Sequence, residues 1–191
     1  MSKQHKILLT VLVVGLGGAL AGLGVFAAFS STTSNPGNSF AAGSVTISDN
    51  DSDTALYSVS NQKPGQSVTR CIKVTYGGSL DADVKLYASS VGAVGQYIDL
   101  AVTSGTGNSA DCSDFTIDAS GTPSVYSGTL KNFADTYSAW ASGLADNPLT
   151  ATKWASSNAV TYRFVVTLQD NSAAQGLSTG SHSFTWEARN Q

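Results

Sequence analysis

Charge is scarce in this chain of 191 residues, where Asp, Glu, Lys and Arg make up 12%, about half the ~25% usual for a globular domain. Ten basic residues against thirteen acidic ones leave no basic footprint for nucleic acid. No block of like charge is present to hold a disordered tail open. Glutamate occurs once, as Glu187, and histidine twice, as His5 and His182. A His-Glu-x-x-His zinc helix is therefore absent, and a carboxylate pair for glycoside hydrolysis would have to come from aspartates scattered over turns. Cysteine also occurs only twice, at Cys71 and Cys112, without the Cys-x-x-Cys spacing of a metal or dithiol motif. The inventory favours a protein that is not an enzyme.

Long apolar runs are confined to the head of the chain. Residues 7–29 carry no charge and, Thr10 and five glycines apart, only apolar side chains. Lys3 and Lys6 precede this run, and small residues gather toward Val25, Phe26, Ala27 and Ala28. That pattern is a secretory signal peptide with its cut between Ala27 and Ala28. The same run is long enough for a membrane helix, which needs about 20 residues, so an uncut chain would be membrane-anchored. Cleavage predicts a mature chain of residues 28–191 that is secreted to the extracellular matrix or cell surface. Its net charge of −5, from 8 basic and 13 acidic residues, suits solubility.

What fills the rest is serine and threonine, 45 of the 164 residues after Ala27. Val68, Arg70, Ile72, Val74 and Tyr76 alternate with Ser67, Thr69, Cys71, Lys73 and Thr75. Similar alternations hold Val84 and Leu86, Ile98, Leu100 and Val102, then Val160, Tyr162, Phe164, Val166 and Leu168, and finally His182, Phe184, Trp186 and Ala188. Period-two patterning with Gly, Asn and Asp punctuation predicts antiparallel strands with one buried face. Many short strands of this kind predict an all-β, jelly-roll-like sandwich spanning residues 39–191. Phe133, Tyr137, Trp140 and Leu144 instead follow helical spacing, which predicts a short helical insertion ended by Asp146, Asn147 and Pro148.

In an exported chain the two cysteines have one way to pair, so Cys71–Cys112 is expected as a disulfide at the sheet surface. Closing a loop of that size contributes roughly 4 kcal/mol through the unfolded state. Asp49, Asp51 and Asp53 alternate in a turn whose oxygens could take Ca²⁺; an acidic solvated turn is the plainer reading, because Thr54 and Ser60 stand where an EF-hand loop needs Gly and Glu. No other cofactor is implied. Ser178 sits in a Gly-x-Ser-x-Gly string, yet the strand-turn-helix setting of a nucleophile elbow is missing and no aspartate separates Ser178 from His182.

Several motifs occur in a telling order. Phe26-Ala27-Ala28-Phe29 is followed by Phe40-Ala41-Ala42-Gly43, by Lys63-Pro64-Gly65-Gln66, by Gly77-Gly78-Ser79-Leu80, and at the end by Gln175-Gly176 and Phe184-Thr185-Trp186-Glu187-Ala188. This series resembles the TasA/camelysin family of secreted bacterial biofilm-matrix proteins. The resemblance covers both ends and the first third, and the Cys71/Cys112 pair lies outside its pattern. It implies export through a specialised signal peptidase and assembly with copies of itself, and with other matrix or cell-surface components, into extracellular fibres. Residues 28–38 are then the strand that one subunit donates to the next, with Phe29 as anchor; otherwise they are a flexible tail. A monomeric adhesin or binding module is the alternative, and the metalloprotease activity described for camelysin-like members a more distant one.

Overall fold

The longest alternations in the sequence become the longest strands. In the computed structural model, which describes residues 42–52, 54–118, 124–145 and 151–190, β2 (Ser67–Tyr76) and β8 (Ala159–Leu168) pair antiparallel from Ser67/Thr167 to Thr75/Ala159. β4 (Ile98–Thr106) lines the other side of β8, from Ile98/Leu168 to Gly105/Thr161. Short strands β1 (Ile47–Asp49) and β5 (Thr116–Ile117) extend this sheet to the order β1-β2-β8-β4-β5, and β6 (Ser124–Thr129) also pairs with β4. The second sheet has the order β7-β3-β9, from β3 (Asp83–Ala88), β7 (Leu144–Ala145) and β9 (Phe184–Arg189). The chain is an all-β sandwich built of antiparallel pairs.

The core is where the predicted apolar faces meet. Ile72, Val74 and Tyr76 of β2, Leu100 and Val102 of β4, and Val160, Tyr162, Phe164 and Val166 of β8 are buried against Val84, Leu86 and Ala88 of β3. Aromatic rings join the sheets: Phe164 lies 4.8 Å from Phe184 and Tyr162 5.3 Å from Trp186, between ring centroids. Offset and tilted pairs at such distances contribute beyond the area that they bury.

The helical insertion is shorter than its spacing predicts. Helix α1 (Leu130–Thr136) is capped by Thr129, whose Oγ1 accepts from the Asn132 amide at 3.1 Å, a cap worth about 1 kcal/mol. Phe133 is fully buried beside Tyr126, Tyr137 and Phe184. Tyr137 already leaves the helix as its C-cap, Trp140 lies in a turn, and Leu144 pairs with Leu86 in β7. Ser138, Ser142 and Gly143 explain the break: the serines satisfy backbone groups locally, Ser142 Oγ accepting from the Ser138 amide, and glycine disfavours helix. Sheet pairing then captures Leu144. Asp146, Asn147 and Pro148 lie outside the described residues.

The bridge Cys71–Cys112 is formed, with its Cα atoms 5.2 Å apart. Cys71 was expected on a solvated face, yet it is 3% exposed. The cause is the β4–β5 hairpin loop, which folds across the outer face of the large sheet. Gly105 permits this, since a Cβ there would lie 2.2 Å from the Thr116 carbonyl oxygen. Replacing Phe164 by Ala is expected to cost about 3–5 kcal/mol, read as a lower urea midpoint at unchanged m-value; a loss under 1 kcal/mol would mean that the sheets do not depend on this contact.

Candidate functional site: the seam between the sheets

Strands present polar backbone groups on both edges, and the register says which edge each group faces. Ser89 donates to the Ser183 carbonyl across the β3–β9 ladder, so odd-numbered residues of β9 face β3. The N–H and C=O groups of Phe184, Trp186 and Ala188 therefore point the other way. Among the described residues no strand pairs with that edge. On its far side stands β1, the edge of the large sheet. Ile47, Ser48 and Asp49 line a gap of about 210 Å³ together with Val74, Phe184, Thr185 and Trp186.

The seam widens into a cleft of about 670 Å³, walled by the β1–β2 connection (Leu56, Tyr57) and by the segment before β9 (His182, Ser183). A further cleft of about 790 Å³ at one end of the sandwich carries Val59, Val94, Ile98, Val166 and Leu177. Val59 and Leu177 are among the few large apolar side chains left exposed. Trp186 Nε1 is buried without a hydrogen-bond partner among the described residues. A polar group so placed costs free energy until an acceptor reaches it.

Tyr57 and His182 close the cleft floor. The phenol lies 2.7 Å from His182 Nε2, and His182 Nδ1 is 3.4 Å from the Gly180 carbonyl oxygen. Burial pushes the Tyr57 phenol far above its ordinary range. Ser178 does not join this pair, because its Oγ accepts from the Gly180 amide at 3.1 Å. The Gly-x-Ser-x-Gly string is a turn.

The aspartates predicted as oxygen ligands are only partly brought together. Asp49 Oδ1 accepts from the Asp51 amide at 3.2 Å, Ser52 takes a left-handed φ of 54°, and Asp53 lies outside the described residues. Between the two carboxylates, Asn50 turns to the sheet, where its Oδ1 accepts from the Lys73 amide at 2.8 Å. The predicted cleavage residues Ala27 and Ala28 and the anchor Phe29 also lie outside the described residues.

One cluster escaped the sequence reading. On the outer face of the small sheet, Lys85 Nζ and Arg189 Cζ stand 5.1 and 4.6 Å from the Trp140 ring centroid. Glu187 joins this cluster, accepting from Arg189 at 2.6 Å and from the Tyr87 hydroxyl at 2.8 Å. Both bonds hold its carboxyl below the usual range, Arg189 the more strongly. The signal lies in the shared strand face of Lys85 with Tyr87 and of Glu187 with Arg189, but the spacing of Trp140 predicts a helix and so conceals its place beside them.

A small antiparallel sandwich whose two sheets meet at a seam, with edges that no strand pairs among the described residues, is the class that the fold defines. The profile of the camelysin metallo-endopeptidase family matches residues 2–99, and the chain belongs to this family, the TasA/camelysin family of the resemblance above. The matched region ends at the start of β4, so Cys112, α1 and β8 and β9 lie beyond it. No curated protein matches the chain. The family's description implies a metal. Among the described residues no three His, Cys, Asp or Glu side chains gather as ligands, and the one described histidine has both ring nitrogens engaged. The described donor set does not fit a catalytic metal. Among those residues, too, no helix is long and apolar enough to cross a membrane.

The raised Tyr57 pKa gives a signed expectation. Its neutral form is favoured by the fold, so its contribution is complete below the unfolded value of about 10 and is lost as pH rises past it. Tyr57→Phe should lessen the alkaline loss of stability by about 1.4 kcal/mol per pH unit between roughly pH 10 and 12, measured by urea unfolding at each pH. An unchanged slope would mean that Tyr57 ionises freely in the folded protein.

Proposed function

We propose that this chain is a non-enzymatic structural subunit of extracellular fibres at the bacterial cell surface or in the biofilm matrix. Residues 1–27 are removed on export, and residues 28–38 of one subunit add as a strand in the seam of the next. The observation that carries this reading is the β9 edge, whose groups at Phe184, Trp186 and Ala188 have no strand partner among the described residues. An added strand would supply that partner, and its carbonyls could reach Trp186 Nε1. Backbone bonds give affinity, and the cleft that holds Val59, Val94 and Leu177 offers Phe29 an apolar place to anchor. The contact is head-to-tail and extends without closing.

Family membership supports a surface or secreted location, and the sparse histidine and glutamate support the non-enzymatic part. A second reading, a monomeric adhesin, draws on the half-exposed Trp140 with its two cations. Glycan binding by a species that stays monomeric at high concentration would favour it.

The secreted protein should have a mass that begins at Ala28. Purified 28–191 should form filaments, and the chain lacking residues 28–38 should remain monomeric, as read by electron microscopy and sedimentation. Filaments from the truncated chain would remove strand donation, and an intact Met1 in the membrane fraction would make this an anchored surface protein.

A further inference from the structure

The large sheet has another stretch of edge that could take a strand, the part of the outer side of β2 that β1 leaves uncovered. Tyr76 donates to the Asn158 carbonyl, on the β8 side, so the odd-numbered residues of β2 face outward. β1 covers only the end of this edge, at Thr75 opposite Ser48. Beyond it the outward groups of Lys73, Cys71 and Thr69 each have a different occupant. The Lys73 amide donates to Asn50 Oδ1 at 2.8 Å. The Cys71 amide donates to the Ala110 carbonyl at 2.9 Å. The Thr69 carbonyl accepts from Arg70 Nη1 at 2.8 Å, the guanidinium curling back along its own strand.

The Ala110 carbonyl reaches this edge because the β4–β5 hairpin loop crosses β8. Thr161 Oγ1 donates to the Gly107 carbonyl at 2.6 Å, and Arg163 stacks 4.8 Å from the Phe115 ring centroid. Asn108 receives Lys73 Nζ on its Oδ1 and Asn50 Nδ2 on its carbonyl. Asp114 accepts the amides of Ser109 and Asn108, at 2.9 and 2.8 Å. The disulfide then fixes the loop at Cys71 itself.

We propose that the disulfide-held hairpin loop, with Asn50 and Arg70, is an edge guard that closes the uncovered part of β2 to a second copy of this chain and so leaves strand addition to other edges, the seam at β9 among them. Proteins block exposed edges because unpaired N–H and C=O groups template association. Here the block is made by side chains and by a non-adjacent loop rather than by another strand, which is why it needs a covalent tie. The choice between edges rests on the fibre reading above, whereas the guard itself does not.

The test uses the full chain and Cys71→Ser/Cys112→Ser. Backbone hydrogen exchange at residues 71 and 73 should quicken by about tenfold or more as the loop lifts. A new, concentration-dependent species should also appear in sedimentation, and adding Thr69→Lys, a charge on the exposed edge, should suppress it. Asn50→Ala, which keeps the bridge, should quicken exchange at Lys73 while sparing Cys71, and it serves if the double variant fails to fold. Unchanged exchange at Lys73 in Asn50→Ala, or a new species indifferent to Thr69→Lys, would overturn the guard. Failure of the wild-type chain to form filaments would count against the fibre reading alone, because the exchange and the added species are read relative to wild type.

Discussion

Strand β8 is the element on which the rest of the molecule depends. It is hydrogen-bonded on both sides, to β2 and to β4, over nearly its full length. Its inner face carries Tyr162 and Phe164 to Trp186 and Phe184. Among the described residues strand β9 has one neighbour in its own sheet, so its position owes much to these ring contacts with β8. The outer face of β8 has an equal part. Thr161, 2% exposed although it lies on the predicted polar side, and Arg163 form the ground on which the β4–β5 hairpin loop rests. One central strand thus positions both the open seam and the covered edge.

Most of the fold was legible because sheet faces alternate with a fixed period. Val160 to Leu168 and Phe184 to Ala188 read as strands before any contact is known, and they are strands. Burial on the polar side was not legible. Cys71 and Thr161 look solvated by parity, and only a loop arriving from 41 residues away for Cys71 and 54 for Thr161 makes them buried. Helical spacing at Phe133, Tyr137, Trp140 and Leu144 misled for a related reason. Two pairs with β3, at Leu144 and Ala145, outweigh a periodicity that serines and a glycine already weaken.

The candidate site was harder still. Which strand edges remain unpaired is a property of the whole topology, and no local pattern records it. The cluster of acidic residues near β1 attracted notice for its carboxylates, but the residue with a visible structural role is Asn50, because a neutral amide can both accept from Lys73 and donate to Asn108. An aspartate there could accept only. The first half of the chain carries the family's imprint, whereas Cys112, which ties the loop, and β9, which borders the seam, lie beyond the match.

The two edges differ in consequence as well as in occupancy. A strand edge offered to an identical edge of another copy makes a self-complementary pair, which closes as a dimer and stops. A strand segment offered to a different edge makes a contact that repeats without closing. A subunit with both edges available would divide between these outcomes, and each β2–β2 pair would compete with head-to-tail addition. Covering β2 with its own loop removes one such self-complementary route without touching β9. On the proposed reading the disulfide has two parts: it constrains the unfolded chain by roughly 4 kcal/mol, and by holding the loop over β2 it would keep the large sheet from competing with the seam for a partner strand.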